Sequence, residues 1–164
     1  KVAGIILCQS PYGGTHVADI ISGSSVLLSA AKGVVESVFK GDVDAICDLS
    51  YDKRKEFVGA HPLDTTRVPT LCFASTCNGG AMGVVITYMD DTYGCESDGL
   101  VPEKDAVVPG ANLIQVHGVD HGSSVGLMDK ASNFLQTFSK QDYKTYDDSP
   151  ADLTQALITM VLKQ

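Results

Sequence analysis

Val2-Ala-Gly-Ile-Ile-Leu-Cys8 (VAGIILC) is an unbroken apolar run, closed by Gln9 and the breaker Ser10-Pro-Tyr-Gly-Gly14. A short apolar run bounded by turn residues suits a strand covered on both faces, as in a parallel sheet. Two further strand candidates follow. Thr70–Thr76 (TLCFAST) ends at Asn78-Gly79-Gly80, and Asn112–His117 (NLIQVH) ends at the turn Gly118–Gly122. The stretches between them carry helical spacing. Val17–Ile21 begins a helical pattern, and Leu27, Ala31, Val34 and Val38 recur at four, three and four, with Gly41 as a stop. Val43, Ile46 and Leu49 repeat at three. Ser50 is placed to cap a short helix over Asp52–Phe57, before the turn-rich Gly59–Pro69. Gly83–Tyr88 is apolar but too short to separate helix from strand, and Asp90–Pro102 reads as loop. Ser149, Pro150 and Asp152 supply a cap, a first-turn proline and an acid at a helix start, with Leu153, Leu157 and Val161 along its apolar face.

Strands separated by helices give the α/β class, with parallel strands and flanking helices. Three strands are few for such a domain. At least one edge would lie open, which predicts more sheet elsewhere. The chain has 164 residues, enough for one domain or a piece of a larger one. It opens on Lys1 at the mouth of the first strand, and is read as processed or partial. Twenty acidic residues against 12 basic give a net charge of -8, which excludes holding nucleic acid or an anionic membrane by bulk charge. No apolar run nears the roughly 18 residues of a transmembrane segment, and no signal-peptide pattern is visible. Of five cysteines, Cys8 and Cys72 sit in strand runs and read as buried thiols. Cys77 and Cys95 lie in loop-like sequence where they could pair, which would favour an oxidising compartment. Cys47 completes the set, and the absence of a C-x-x-C pair argues against zinc.

Chemistry-bearing residues follow each strand: Ser10–Asp19, then Glu96-Ser-Asp98-Gly-Leu-Val-Pro102, then Gly118-Val-Asp-His121-Gly. Sites in open α/β sheets gather beyond the carboxyl ends of strands. An acid after one strand and a histidine after the next can make an oriented base, the carboxylate fixing the imidazole tautomer.

In this order the chain resembles the C-terminal half of the lipase-like serine esterases of the α/β-hydrolase family. Ser10–Asp19 is similar to their P-x-x-G-[ST]-x-x-A-[DE] stretch after the sixth strand. Leu27–Pro62 is similar to their cap insertion, and Ala45–Pro62 to the L-[ST]…F…P segment within it. Glu96–Pro102 resembles the D-G-[LV]-V-P that bears the catalytic acid, and Val119–Gly122 the x-D-H that bears the catalytic histidine. The resemblance implies a C-terminal portion of an α/β-hydrolase sheet over residues 1–164, with a helical cap insertion at about 22–68. It implies Asp98 as the acid and His121 as the general base of a carboxylic ester hydrolase acting on ester or lipid substrates. The family's nucleophile elbow, a G-x-S-x-G before the sixth strand, has no counterpart here: the one such spacing, Gly122-Ser-Ser-Val-Gly126, directly follows His121. The serine and oxyanion donors are therefore expected on an N-terminal half, in the same or a separate chain.

Plainer roles stand beside these. Asp98-Gly99 alone is a turn dipeptide, and His121 alone a loop histidine. Ser10 is the nearest stand-in for a nucleophile, although its glycine spacing differs from an elbow, and Ser123 and Ser124 are too close in sequence to His121. Asp90 and Asp91 are alternative acids or a solvated pair, and Asp120 is expected to bond locally. His16 is expected to be structural or to line the site, and His61 and His117 to be loop and strand residues. Ser123 stands where calcium-using relatives carry an aspartate, so no metal is expected, and no cofactor. Two rival readings are a non-catalytic hydrolase-like subunit or scaffold, and a nucleotide-binding domain using Gly13-Gly14, which lacks the G-x-G-x-x-G spacing.

Overall fold

A computed structural model describes residues 2–22, 43–79, 82–125 and 150–163. The helix expected at Leu27–Val38 and most of the first half of the cap insertion lie outside the described residues.

The described elements are β1 (Ile5–Cys8), α1 (Val17–Ser22), α2 (Val43–Cys47), α3 (Tyr51–Ala60), β2 (Thr70–Thr76), α4 (Gly83–Tyr93), β3 (Asn112–His117) and α5 (Pro150–Leu162). Short 3-10 turns lie at Glu103–Ala106 and Ser123–Val125. The strands form one parallel sheet in the order β1-β2-β3. Ile5 stands beside Thr70 and Cys8 beside Phe73, while Leu71 stands beside Asn112 and Thr76 beside His117. Parallel neighbours need crossovers, and the helices between the strands supply them.

β2 is buried along its whole length, as a central strand covered on both faces must be. Its side chains alternate between two cores. Leu71 and Phe73 pack with Leu157 and Val161 of α5, while Ala74 joins Val17, Ile20, Ile46, Val85, Ile86 and Met89 from α1, α2 and α4 on the opposite face. Leu157 is the deepest apolar residue of α5, at 4% exposure. Leu157→Ala is expected to lower stability by about 2–5 kcal/mol, because it removes the side chain that packs on Leu71 and Phe73. A urea titration of the protein checks this, and an unchanged midpoint would show that α5 does not close the core.

β1 departs from expectation. It begins at Ile5, not Val2, and is only partly buried, with Cys8 exposed. Among the described residues it pairs with β2 alone, so its outer edge carries free backbone groups. A groove of about 800 Å³ runs beside it, lined by Ile6, Cys8, Ser124, Leu153, Leu157 and Ile158.

Other differences have local causes. Ser50 occupies the N-cap of α3 with extended backbone, but its hydroxyl makes no capping bond. α3 runs on to Ala60, into the stretch read as turns. Gly83–Tyr88 is helical, and α4 continues through Asp90–Tyr93 to Gly94. There a left-handed φ of 60° lets the Gly94 amide donate to the Asp90 carbonyl at 2.8 Å and close the helix. The polar tail hid that last turn from an apolar-pattern reading. Val17–Ser22 and Pro150–Leu162 form the helices expected at both places.

Candidate active site

The loop after α4 turns sharply at Ser97-Asp98-Gly99-Leu100 and lies against the start of α4. Cys95, Leu100 and Val101 enter the core, and Ser97 bridges Pro102. Gly99 has φ +99°, and a Cβ there would stand 2.3 Å from the Cβ of Met82. The close approach holds Asp98 under the sheet end, at 1% exposure.

A buried carboxylate needs partners, and Asp98 has three. Its Oδ1 accepts from the backbone amides of Leu100 at 2.9 Å and Val101 at 2.8 Å. Its Oδ2 lies 2.8 Å from Nδ1 of His121. A carboxylate only accepts, so the Nδ1 proton points to Asp98 and Nε2 keeps its lone pair. The His121 amide also donates to the Asp98 carbonyl at 2.9 Å, which joins the two loops by backbone and side chain.

The histidine loop is itself ordered. Gly118, at φ +86°, donates to the Thr76 carbonyl at 2.7 Å, and His117 Nδ1 meets Thr76 Oγ1 at 2.7 Å. Asp120 is buried and accepts from the Ser123 amide at 2.7 Å, the local bond expected of it. Sequence reasoning missed Gln9 and Ser75, which join Ser124 in a buried polar chain reaching this loop. No local spacing marks residues that meet across more than a hundred positions.

The remaining candidates stand apart from the Asp98–His121 pair. Ser10 is half-buried in the loop after β1, and among the described residues the His121 ring bonds to Asp98 and to no serine hydroxyl. Asp90 and Asp91 are exposed on the last turn of α4. His16 stacks on Tyr93 at 3.6 Å between ring centroids and tilts against Tyr51 at 4.7 Å, with Asp19 at 3.3 Å from its Nδ1. His61 is exposed at the end of α3.

The cysteines need correction. Cys77 and Cys95 are free thiols, as are Cys8, Cys47 and Cys72. Cys72 is buried as expected, but Cys8 is exposed at the sheet edge, where among the described residues no further strand covers it. Partial desolvation on its inner side pushes the Cys8 thiol up, with the nearby Asp98 charge adding to the effect and the Ser124 hydroxyl opposing it.

Gly13 and Gly14 do not form an anion cradle. The Gly13 amide donates to the Asp105 carbonyl at 2.8 Å, and a Cβ there would meet Asp105 Oδ1 at 2.9 Å. Gly14 lies against the Tyr51 ring, whose hydroxyl donates to Asp105 Oδ2 at 2.6 Å. Burial first, then that bond, pushes the Tyr51 hydroxyl far up, so it stays a donor. A carboxylate occupies the place a phosphate would need. The same contacts tie α3 to the acid loop, with Arg54 donating to the Tyr12 carbonyl at 3.2 Å. Among the described residues no cluster of three or more His, Cys, Asp or Glu side chains could hold a metal ion, and no helix is long and apolar enough to cross a membrane.

Comparison with solved structures gives the fold its class. The chain is similar to the Bacillus licheniformis lipase BlEst2 in mature form, with TM-score 0.63 and 23% identity over 83% of this chain and 54% of that one. It is similar to a metagenomic carboxyl esterase, with TM-score 0.66 and 20% identity over 98% of this chain and 48% of that one. The propeptide form of BlEst2 gives TM-score 0.58 and 22% identity, over 90% of this chain and 32% of that one. No protein-family model and no curated protein sequence matches the chain. The three-stranded parallel sheet with its helices is thus a partial α/β-hydrolase fold. The chain spans about half the length of the mature lipase and of the esterase.

Proposed function

We propose that this chain is the C-terminal part of a lipase-like carboxylic ester hydrolase, with Asp98 and His121 as its acid and base. The observation that carries the reading is the 2.8 Å contact between a fully buried, doubly amide-bonded Asp98 and the His121 ring. An imidazole held by Nδ1 presents Nε2 as a general base. It would take the proton of a serine hydroxyl as that oxygen attacks an ester carbonyl, then return it to the departing alcohol. A second passage with water would release the acid and free the serine.

The nucleophile and the oxyanion donors are assigned to an N-terminal part, in the same or a separate polypeptide. Three features support this. The one G-x-S-x-G spacing, Gly122–Gly126, directly follows His121, and its central Ser124 hydroxyl bonds Gln9 Oε1 and the His121 carbonyl, not the His121 ring. The outer edge of β1 is unpaired among the described residues, and an apolar groove lies beside that edge. Residues 22–68 would form a cap above the site, and Leu49 and α3 within that range already bond to the loop after β1 and to Asp105 beyond the acid loop. The substrates expected are carboxylic esters, lipids among them.

A fluorophosphonate probe tests the reading on the native preparation. The expected label falls on a serine outside the 164 residues, and the purified chain alone neither labels nor turns over p-nitrophenyl esters. A label on Ser10, or turnover by the chain alone, would overturn the placement of the nucleophile. A native preparation that neither labels nor hydrolyses esters would overturn the activity.

A further inference from the structure

Gln9 has the most unusual backbone among the described residues. It follows β1 at φ 45°, in the left-handed region, and no other described non-glycine residue lies there. That conformation disfavours a side chain with a Cβ, and where it persists the surroundings must hold it. Gln9 is also 1% exposed, which is rare for a glutamine. Both features are explained by what its amide group holds. Nε2 donates to the Ser75 hydroxyl on β2, and Oε1 accepts from the Ser124 hydroxyl. The Gln9 backbone amide continues the ladder to the Phe73 carbonyl at 2.7 Å. Ser75 and Ser124 are 2% and 4% exposed, so the chain of bonds is shielded from water.

The far end of this chain is the histidine loop. Ser124 Oγ lies 3.1 Å from the carbonyl oxygen of His121. Its single proton is therefore shared between Gln9 Oε1 and His121 O. The His121 backbone is held on both sides, its amide by the acid loop and its carbonyl by Ser124.

We propose that Gln9 and Ser124 are positioning residues, which fix the His121 ring against Asp98 from the β1–β2 side of the sheet. The inference rests on Asp98 and His121 being the acid–base pair of the proposed hydrolase. Its mechanism is geometric. The rigid sheet sets Ser75, Ser75 sets the Gln9 amide, and the Gln9 amide sets the hydroxyl that meets the His121 carbonyl. Without this anchor, His121 keeps its two bonds to Asp98 but gains freedom to rotate about them.

The test reads the Nδ1 proton of His121 by NMR of the histidine-labelled native preparation, and needs neither a serine nucleophile nor turnover. The wild-type protein is expected to show a far-downfield Nδ1–H signal that Asp98→Ala removes. Ser124→Ala is expected to speed solvent exchange of that proton about two- to tenfold, as loss of one hydrogen bond would. Gln9→Leu is expected to broaden the signal beyond detection, and Ser124→Thr, which keeps the hydroxyl, to restore the wild-type rate. Folded Ser124→Ala protein with an unchanged signal and exchange rate overturns the proposal, even if Gln9→Leu fails to fold. A wild-type protein with no such signal removes the Asp98–His121 pair and the inference with it. An intact signal in a preparation that hydrolyses no ester overturns the activity alone.

Discussion

Asp98→Asn is expected to lower the kcat of the proposed hydrolase by about four orders of magnitude, while leaving the acid loop folded. The reason lies in which oxygen does what. Oδ1 of Asp98 accepts from both the Leu100 and Val101 amides, so in the variant the amide oxygen must stay at that position. The –NH2 group then takes the place of Oδ2, 2.8 Å from His121 Nδ1, and donates to it. The imidazole proton is forced onto Nε2, and the nitrogen meant to act as base becomes a donor. Asp98→Ala is a poorer test, since it also strands two buried amides and costs stability. Stopped ester-hydrolysis assays measure the loss, and the 15N shifts of His121 report the tautomer directly. A variant that keeps more than about a tenth of wild-type kcat, with Nδ1 still protonated, would show that Asp98 does not set the base.

Gly99→Ala is expected to cost about 2–5 kcal/mol. Two penalties combine. The backbone sits at φ +99°, which costs an L-residue about 1–2 kcal/mol. The new Cβ would also lie 2.3 Å from the Met82 Cβ, at the fixed start of α4, and overpacking of this kind costs about 1–3 kcal/mol. Against the roughly 5–15 kcal/mol of an ordinary domain, that is enough to lose soluble protein at 37 °C. Gly94→Ala is the control. Gly94 also has positive φ, but its Cβ would meet nothing within 4 Å, so only the smaller conformational penalty remains. Urea titrations of the two variants separate the terms, and equal losses would show that the contact with Met82 is not a constraint.

Much of the fold is legible from apolar runs and helical spacing, although β3 is largely exposed. β2 and β3 occupy Thr70–Thr76 and Asn112–His117 as their apolar runs predict, and α5 buries Leu157 and Val161 as its spacing predicts. β1 was misjudged because apolar composition reports what a strand wants to bury, and not whether a neighbour is present to bury it. α4 was left open, and its last turn was missed, because Asp90 and Asp91 carry no apolar signal and the stop depends on the dihedral of Gly94. Asp98 and His121 were legible from position after a strand and from resemblance, and the structure brings their side chains together. Gln9 was not legible. A glutamine after a strand has no preferred partner in sequence, and its backbone conformation is one that pattern reading assigns to glycine.

The bare edge of β1 has a consequence for handling this protein. Its amides and carbonyls, unpaired among the described residues, can be matched by a parallel strand of the proposed N-terminal part, or by the same edge of another copy. Two copies related by a twofold axis would meet with β1 antiparallel, giving a mixed six-stranded sheet in place of a hydrolase. The two outcomes compete for the same four residues, and concentration of this chain favours the second. Produced by itself, the chain is therefore expected to pair through Ile5–Cys8 with a second copy, and adding the proposed N-terminal part is expected to compete with that pairing.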